Sequence, residues 1–188
     1  MTDEVELPCA LIPVHGRQLL VPGVSVAEVV RMQRIRPVKG LPDWHLGLLP
    51  WRGLVLPVLS VERVLADVGE TIPGPRANNA LLVMNRTRTL PGLGFYAVLV
   101  RGLPRMLWVT AEDLEDVDGP LAAGEASRVR VGQDEAVIPR LAYLEELAIQ
   151  HGKTVRVPPE LRPPGAPEPN AGQEPATVLP WRPPDVRR

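Results

Sequence analysis

Short runs of Val, Leu, Ile and aromatic residues, each closed by Gly, Pro, Asn or Asp, recur along the first 140 residues of this 188-residue chain. Residues 9–14 and 17–22 flank His15-Gly16, a hairpin signal. Val29 to Ile35 alternates, with Val30 and Met32 set against Arg31, Gln33 and Arg34. Residues 54–59, 80–84, 94–100, 105–109, 128–131 and 135–138 read as further short strands, and Gly92-Leu93-Gly94 as a hairpin turn. Helical spacing occurs in two places: Val61 to Asp67, and Leu141 to Gln150 with Leu141, Leu144, Leu147 and Ala148 on one face. The pattern predicts a mostly β fold of small barrels or a sandwich. The two halves rhyme, each a cluster of strands that ends in a short helix.

The domain boundary is a change of composition. From Pro158 to Pro184 there are ten prolines in 27 residues and one aromatic, Trp181. Such a segment lacks the apolar surface to offset its ordering entropy. Residues 1–152 are therefore expected to form the domain, and residues 153–188 a disordered tail. The whole chain carries 21 basic and 22 acidic residues, a net charge of −1 that gives no electrostatic case for nucleic acid. The single cysteine, Cys9, excludes an internal disulfide and suits a reducing cytosol. The acidic start, Met-Thr-Asp-Glu-Val-Glu, does not read as a signal peptide, and no apolar run approaches the roughly 20 residues of a membrane helix. A cytoplasmic protein without membrane insertion is expected.

Gly47 to Leu59 is a thirteen-residue run with one charge, Arg52. An unpaired buried cation is costly, so the chain must pair this arginine or present it to a partner. Gly53 suggests a bulge or tight turn that aims it outward. Pro57 cannot donate to a ladder, which predicts an edge or bent strand.

Val26-Ala27-Glu28-Val29, then Pro42-Asp43-Trp44-His45-Leu46-Gly47, then Arg52-Gly53-Leu54-Val55-Leu56-Pro57-Val58 resemble the CheW adaptor domain of bacterial chemosensory systems. Leu107 to Leu114, Gly132 and the closing Tyr143-Leu144-Glu145-Glu146-Leu147 extend the resemblance over residues 9–149. It implies two SH3-like five-stranded β-barrels with short helices on a shared core, and a non-enzymatic adaptor without cofactor. Its partners would be chemoreceptor signalling domains, a CheA-type histidine kinase and other CheW-like proteins. It also implies a receptor-facing groove lined at Val26, Gly47 and Arg52, with Glu28 close to the arginine and Gly53 beside it. Glu28 would orient the guanidinium, and Gly47 would leave room for a receptor helix. Pro50, Ser60 and Arg101 depart from the family's usual Asn, Asp and acidic residue, and Pro139-Arg140 interrupt the last strand. The departures suggest a divergent adaptor of an accessory pathway, such as one controlling type IV pili.

Other features read as ordinary surface or core. His15, His45 and His151 are scattered and lack metal-ligand spacing. Cys9 has no adjacent base and reads as a structural thiol. The basic run Arg31, Arg34, Arg36, Lys39 and the acidic run Glu112, Asp113, Glu115, Asp116, Asp118 read as solvated faces. Leu49-Pro50-Trp51-Arg52 recurs as Leu179-Pro180-Trp181-Arg182. The alternative function is a small-ligand or peptide-binding barrel outside a signalling array. Neither a catalytic triad nor a carboxylate pair is visible, so no enzymatic activity is expected.

Overall fold

The computed structural model describes residues 5–87 and 94–152. Eleven strands are defined there: β1 (Leu7–Val14), β2 (Arg17–Pro22), β3 (Val26–Arg31), β4 (His45–Trp51), β5 (Leu54–Leu59), β6 (Ala80–Asn85), β7 (Phe95–Val100), β8 (Arg105–Val109), β9 (Leu114–Asp116), β10 (Glu125–Val131) and β11 (Asp134–Pro139). Helices α1 (Val61–Val64) and α2 (Leu141–Gly152) follow β5 and β11. The strands form two curled sheets, ordered β8-β1-β2-β11-β10-β9 and β3-β6-β7-β5-β4. The second sheet has the five strands expected; the first gains a sixth from the three-residue β9. Each sheet joins its antiparallel strands through one interior parallel pair, β2 with β11 and β5 with β7.

The sheets do not follow the halves of the sequence. The N-terminal hairpin pairs with β8 and β11, so the first barrel is built from both ends of the described chain. Its strands are apolar on both faces because they serve two cores. On β1, Cys9 and Leu11 point into the first barrel, while Ala10, Ile12 and Val14 point into a core shared with the second. β6 and β7 do the same from the other side. Leu81, Ala97 and Leu99 fill the second barrel, and Leu82, Met84, Tyr96, Val98 and Val100 face the shared core. Val61 of α1, Leu65 at its end, and Leu144 and Ala148 of α2 complete that core. A strand buried on two faces reads as a continuous apolar run, as these do in the sequence.

Several boundaries differ from expectation. The strand expected over Val29 to Ile35 is β3, shifted toward the N-terminus. The helix expected over Val61 to Asp67 has only four residues. Pro57 does not mark an edge, since β5 lies between β7 and β4. It is tolerated because it stands opposite Leu48, whose N–H and carbonyl bond Arg36 instead, at 2.8 and 2.9 Å. No ladder donor is needed from Pro57 there. The hairpin turn expected at Gly92-Leu93-Gly94 and the tail at 153–188 lie outside the described residues, apart from Gly94.

Candidate partner-binding site

Arg52 and Gly53 are the two turn residues of the β4–β5 hairpin, between the paired Trp51 and Leu54. Their φ angles are 45° and 76°. Positive φ at both positions is the requirement of a type I′ turn, whose twist matches that of the strands. Gly53 meets it freely. Arg52 does not: it is the one non-glycine residue with positive φ among those described, a conformation that costs about 1–2 kcal/mol.

The arginine side chain is 70% exposed and its terminal nitrogen lies 3.0 Å from the Glu28 carboxylate. The same Glu28 oxygen accepts the Trp51 indole N–H at 2.9 Å. The guanidinium stands 5.2 Å from the Trp51 ring centroid, within cation–π range. Trp51 in turn meets Phe95 edge-on at 5.0 Å. Glu28, on β3, and the hairpin come from opposite edges of the sheet. One carboxylate thus holds an indole and a guanidinium together, with the arginine outermost.

Of the residues expected at this site, Glu28, Arg52 and Gly53 come together at the hairpin. Val26 begins β3 and is half-buried against the shared core. Gly47 is buried in a bulge of β4, with φ 133°. A Cβ there would overlap the Arg36 carbonyl oxygen and lie 2.7 Å from its carbon. The space expected to admit a partner is filled by this chain's own 36–37 segment, which bridges to Leu48. Trp51 and Phe95 were not singled out from the sequence. The signal for Trp51 was its place just before the turn.

A second polar cluster lies inside the molecule. Glu62 of α1 is 1% exposed. It accepts the His15 backbone N–H at 2.7 Å and pairs bidentately with one edge of the Arg101 guanidinium, Nε donating at 2.9 Å and the adjacent terminal nitrogen to the other carboxylate oxygen. Arg101 also donates to the Pro73 carbonyl at 2.7 Å and to the Asn79 side chain at 3.2 Å. Arg101 is therefore internal cement between the first hairpin, α1 and the 73–79 loop. Buried Glu125 plays a similar part, accepting from Arg128 at 2.8 Å, Arg17 at 3.3 Å and the Ala122 N–H at 3.1 Å.

The histidines are not all scattered. His45 and His151 have ring centroids 6.4 Å apart, with Trp44 6.2 Å from His45 and 5.1 Å from His151. His45 is 6% exposed and neither ring nitrogen has a hydrogen-bond partner among the described residues. Burial pushes its pKa down, and the neighbouring His151 adds to the lowering. Cys9 is buried and its thiol is pushed up by that burial, as suits a packing residue. Among the described residues no three His, Cys, Asp or Glu side chains are grouped to hold a metal, and no helix is long and apolar enough to cross a membrane.

Two comparisons meet this geometry. In the solved structures, the scaffolding protein TtCheW of Thermoanaerobacter tengcongensis matches with a TM-score of 0.60 at 13% identity. The match covers 74% of this chain and 88% of that one, and shows a common fold. No curated protein matches by sequence. The family model described as CheW-like domain matches residues 8–142, from β1 into α2 and across every element that builds the hairpin site, and the chain belongs to the CheW-like family.

Proposed function

We propose that this chain is a non-enzymatic cytoplasmic adaptor that couples chemoreceptor signalling domains to a CheA-type histidine kinase. The observation that carries the reading is the backbone of Arg52. A residue kept in a costly conformation, mostly exposed, and tied to its own domain by a surface ion pair gains the fold little. Strain held at an exposed charged residue is a mark of function. Family membership supplies the class of partner. In this reading the guanidinium meets a carboxylate or carbonyl on the receptor, Glu28 and Trp51 fix its direction, and Gly53 keeps the turn open. Val26 and Gly47 contribute by shaping the strands behind it. The departures at Pro50, Ser60 and Arg101 favour an accessory pathway, such as one for type IV pili.

The test pairs an unfolding midpoint with binding to a receptor signalling fragment. Arg52→Ala should remain folded and lose about 1–3 kcal/mol of binding, as expected for a charged hydrogen-bonding group at an interface. Glu28→Ala should lose less, since it orients the arginine. A folded Arg52→Ala protein with unchanged affinity would overturn the assignment of this hairpin.

A further inference from the structure

We propose that two copies of this chain associate through β8, the strands side by side and antiparallel about a two-fold axis at Leu107. The two sheets leave four edge strands among the described residues: β3, β4, β8 and β9. Three of them are protected. β3 carries a bulge between Val26 and Glu28. β4 carries one between His45 and Gly47, contains Pro50, and is bridged at Leu48 by Arg36. β9 is the short run Leu114–Asp116, acidic in its last two residues. Bulges, prolines, shortness and charge are the means by which sheets avoid edge-to-edge pairing. β8 has no bulge against β1 and no proline, and its only charge is Arg105 at its start.

The open part of this edge lies at Met106 and Trp108. Leu107 and Val109 pack into the first barrel, while Met106 and Trp108 are 55% and 65% exposed. Their backbone is open as well. Pro8 stands opposite Trp108 and Pro22 opposite Cys9, and proline has no N–H. The rungs between β1 and β8 therefore run through Cys9–Leu107 and Leu7–Val109. That leaves the N–H and carbonyl groups of Met106 and Trp108 pointing away from β1. Among the described residues no backbone bond outside the ladder reaches them.

The strand that matches this edge is β8 itself. With Leu107 on the axis, Met106 of each copy stands opposite Trp108 of the other. Both residues turn N–H and carbonyl outward, so each pair exchanges both of its hydrogen bonds. Opposite side chains share a face, so the Met106 thioether of one copy lies against the Trp108 indole of the other, a favourable sulfur–aromatic contact. Charge has the same symmetry. β8 begins at Arg105, whose side chain is 65% exposed, and leads into the exposed acids Glu112, Asp113, Glu115 and Asp116. Antiparallel pairing brings the basic start of each copy toward the acidic turn of the other, where Glu112 and Asp116 pair with no cation among the described residues. Parallel pairing would set like against like. One short strand makes a small interface, so the dimer is weak and builds with concentration. β8 and the Arg52 hairpin belong to different sheets, and the contact does not depend on the adaptor reading.

The experiment is sedimentation equilibrium of the full chain at rising concentration, joined to oxidative cross-linking that reads the register. The wild type should pass from monomer toward dimer and no further, because a two-fold contact closes on itself. Trp108→Glu, at an exposed site, should keep the wild-type melting temperature and weaken association about a hundredfold, since a tenfold loss at one interface residue counts once in each copy. Arg52→Ala should associate like the wild type. A wild type that stays monomeric to millimolar concentration would overturn the proposal. So would a folded Trp108→Glu protein that dimerises as before, or a dimer that Arg52→Ala abolishes. For the register, Met106→Cys and Trp108→Cys proteins are mixed and oxidised; Cys9, the native thiol, is buried. Opposite positions lie within disulfide reach and like positions do not, so the mixed cross-link should exceed either self cross-link at least about fivefold. Equal yields would exclude a two-fold axis at Leu107.

Discussion

At the scale of single residues, Arg52 and His45 both stand where stability alone would not put them. Replacing Arg52 by glycine removes the backbone strain together with the side chain. We expect Arg52→Gly to unfold at the same temperature as the wild type or up to about 2–4 °C higher, since about 1 kcal/mol moves a domain of this size by that much. A clear drop in the midpoint would make the arginine structural. His45 carries the opposite kind of cost. Its folded pKa is depressed below its ordinary value of 6.5, so the unfolded chain binds the proton more tightly. The resulting stability is fully present above pH 6.5 and is lost as pH falls through the folded value. Thermal midpoints measured from pH 7.5 down to pH 5 should fall for the wild type. His45→Phe should flatten the slope over the same window while His151 remains.

At the scale of elements, the sequence carried the strands better than the polar contacts between them. β1, β2, β5, β7 and β11 were legible because each is a compact apolar run between turn residues. β3 was misplaced because its alternation continues into Met32 and Ile35, which pack on the second barrel after the strand has ended. β9 escaped notice because three residues in an acidic run carry no β pattern. The Arg52–Glu28 pair was legible through resemblance, whereas Trp51 and Phe95, which complete it, face each other across two strands. Glu62 was not singled out from the sequence; its partner lies 39 residues away. Arg101 did give a signal, as a lone cation ending the apolar run Phe95–Val100, but nothing local said where its counter-charge lay. Deleting one member should therefore strand the other. Arg101→Ala is expected to cost about 3–5 kcal/mol in chemical denaturation, because it leaves a buried carboxylate. Pairing Arg101→Met with Glu62→Leu should cost much less than the sum of the two single changes. Additive losses would mean that the two side chains do not act as a unit.

At the scale of the whole molecule, two barrels are welded by a core to which both sheets and both helices contribute. Such a domain has no independent half, since the first barrel needs strands from both ends of the described chain. Unfolding should be a single transition in which the two barrels lose structure together. Among the described residues the last apolar anchors are Leu144, Ala148 and Ile149 of α2, and beyond Gly152 the sequence offers little that could join a core. Removing residues 153–188 should consequently leave the melting temperature within about 3 °C of the full chain, the scale of about 1 kcal/mol at this size. A fall of ten degrees or more, several kcal/mol on the same scale, would mean that the tail packs as a structural part of the domain.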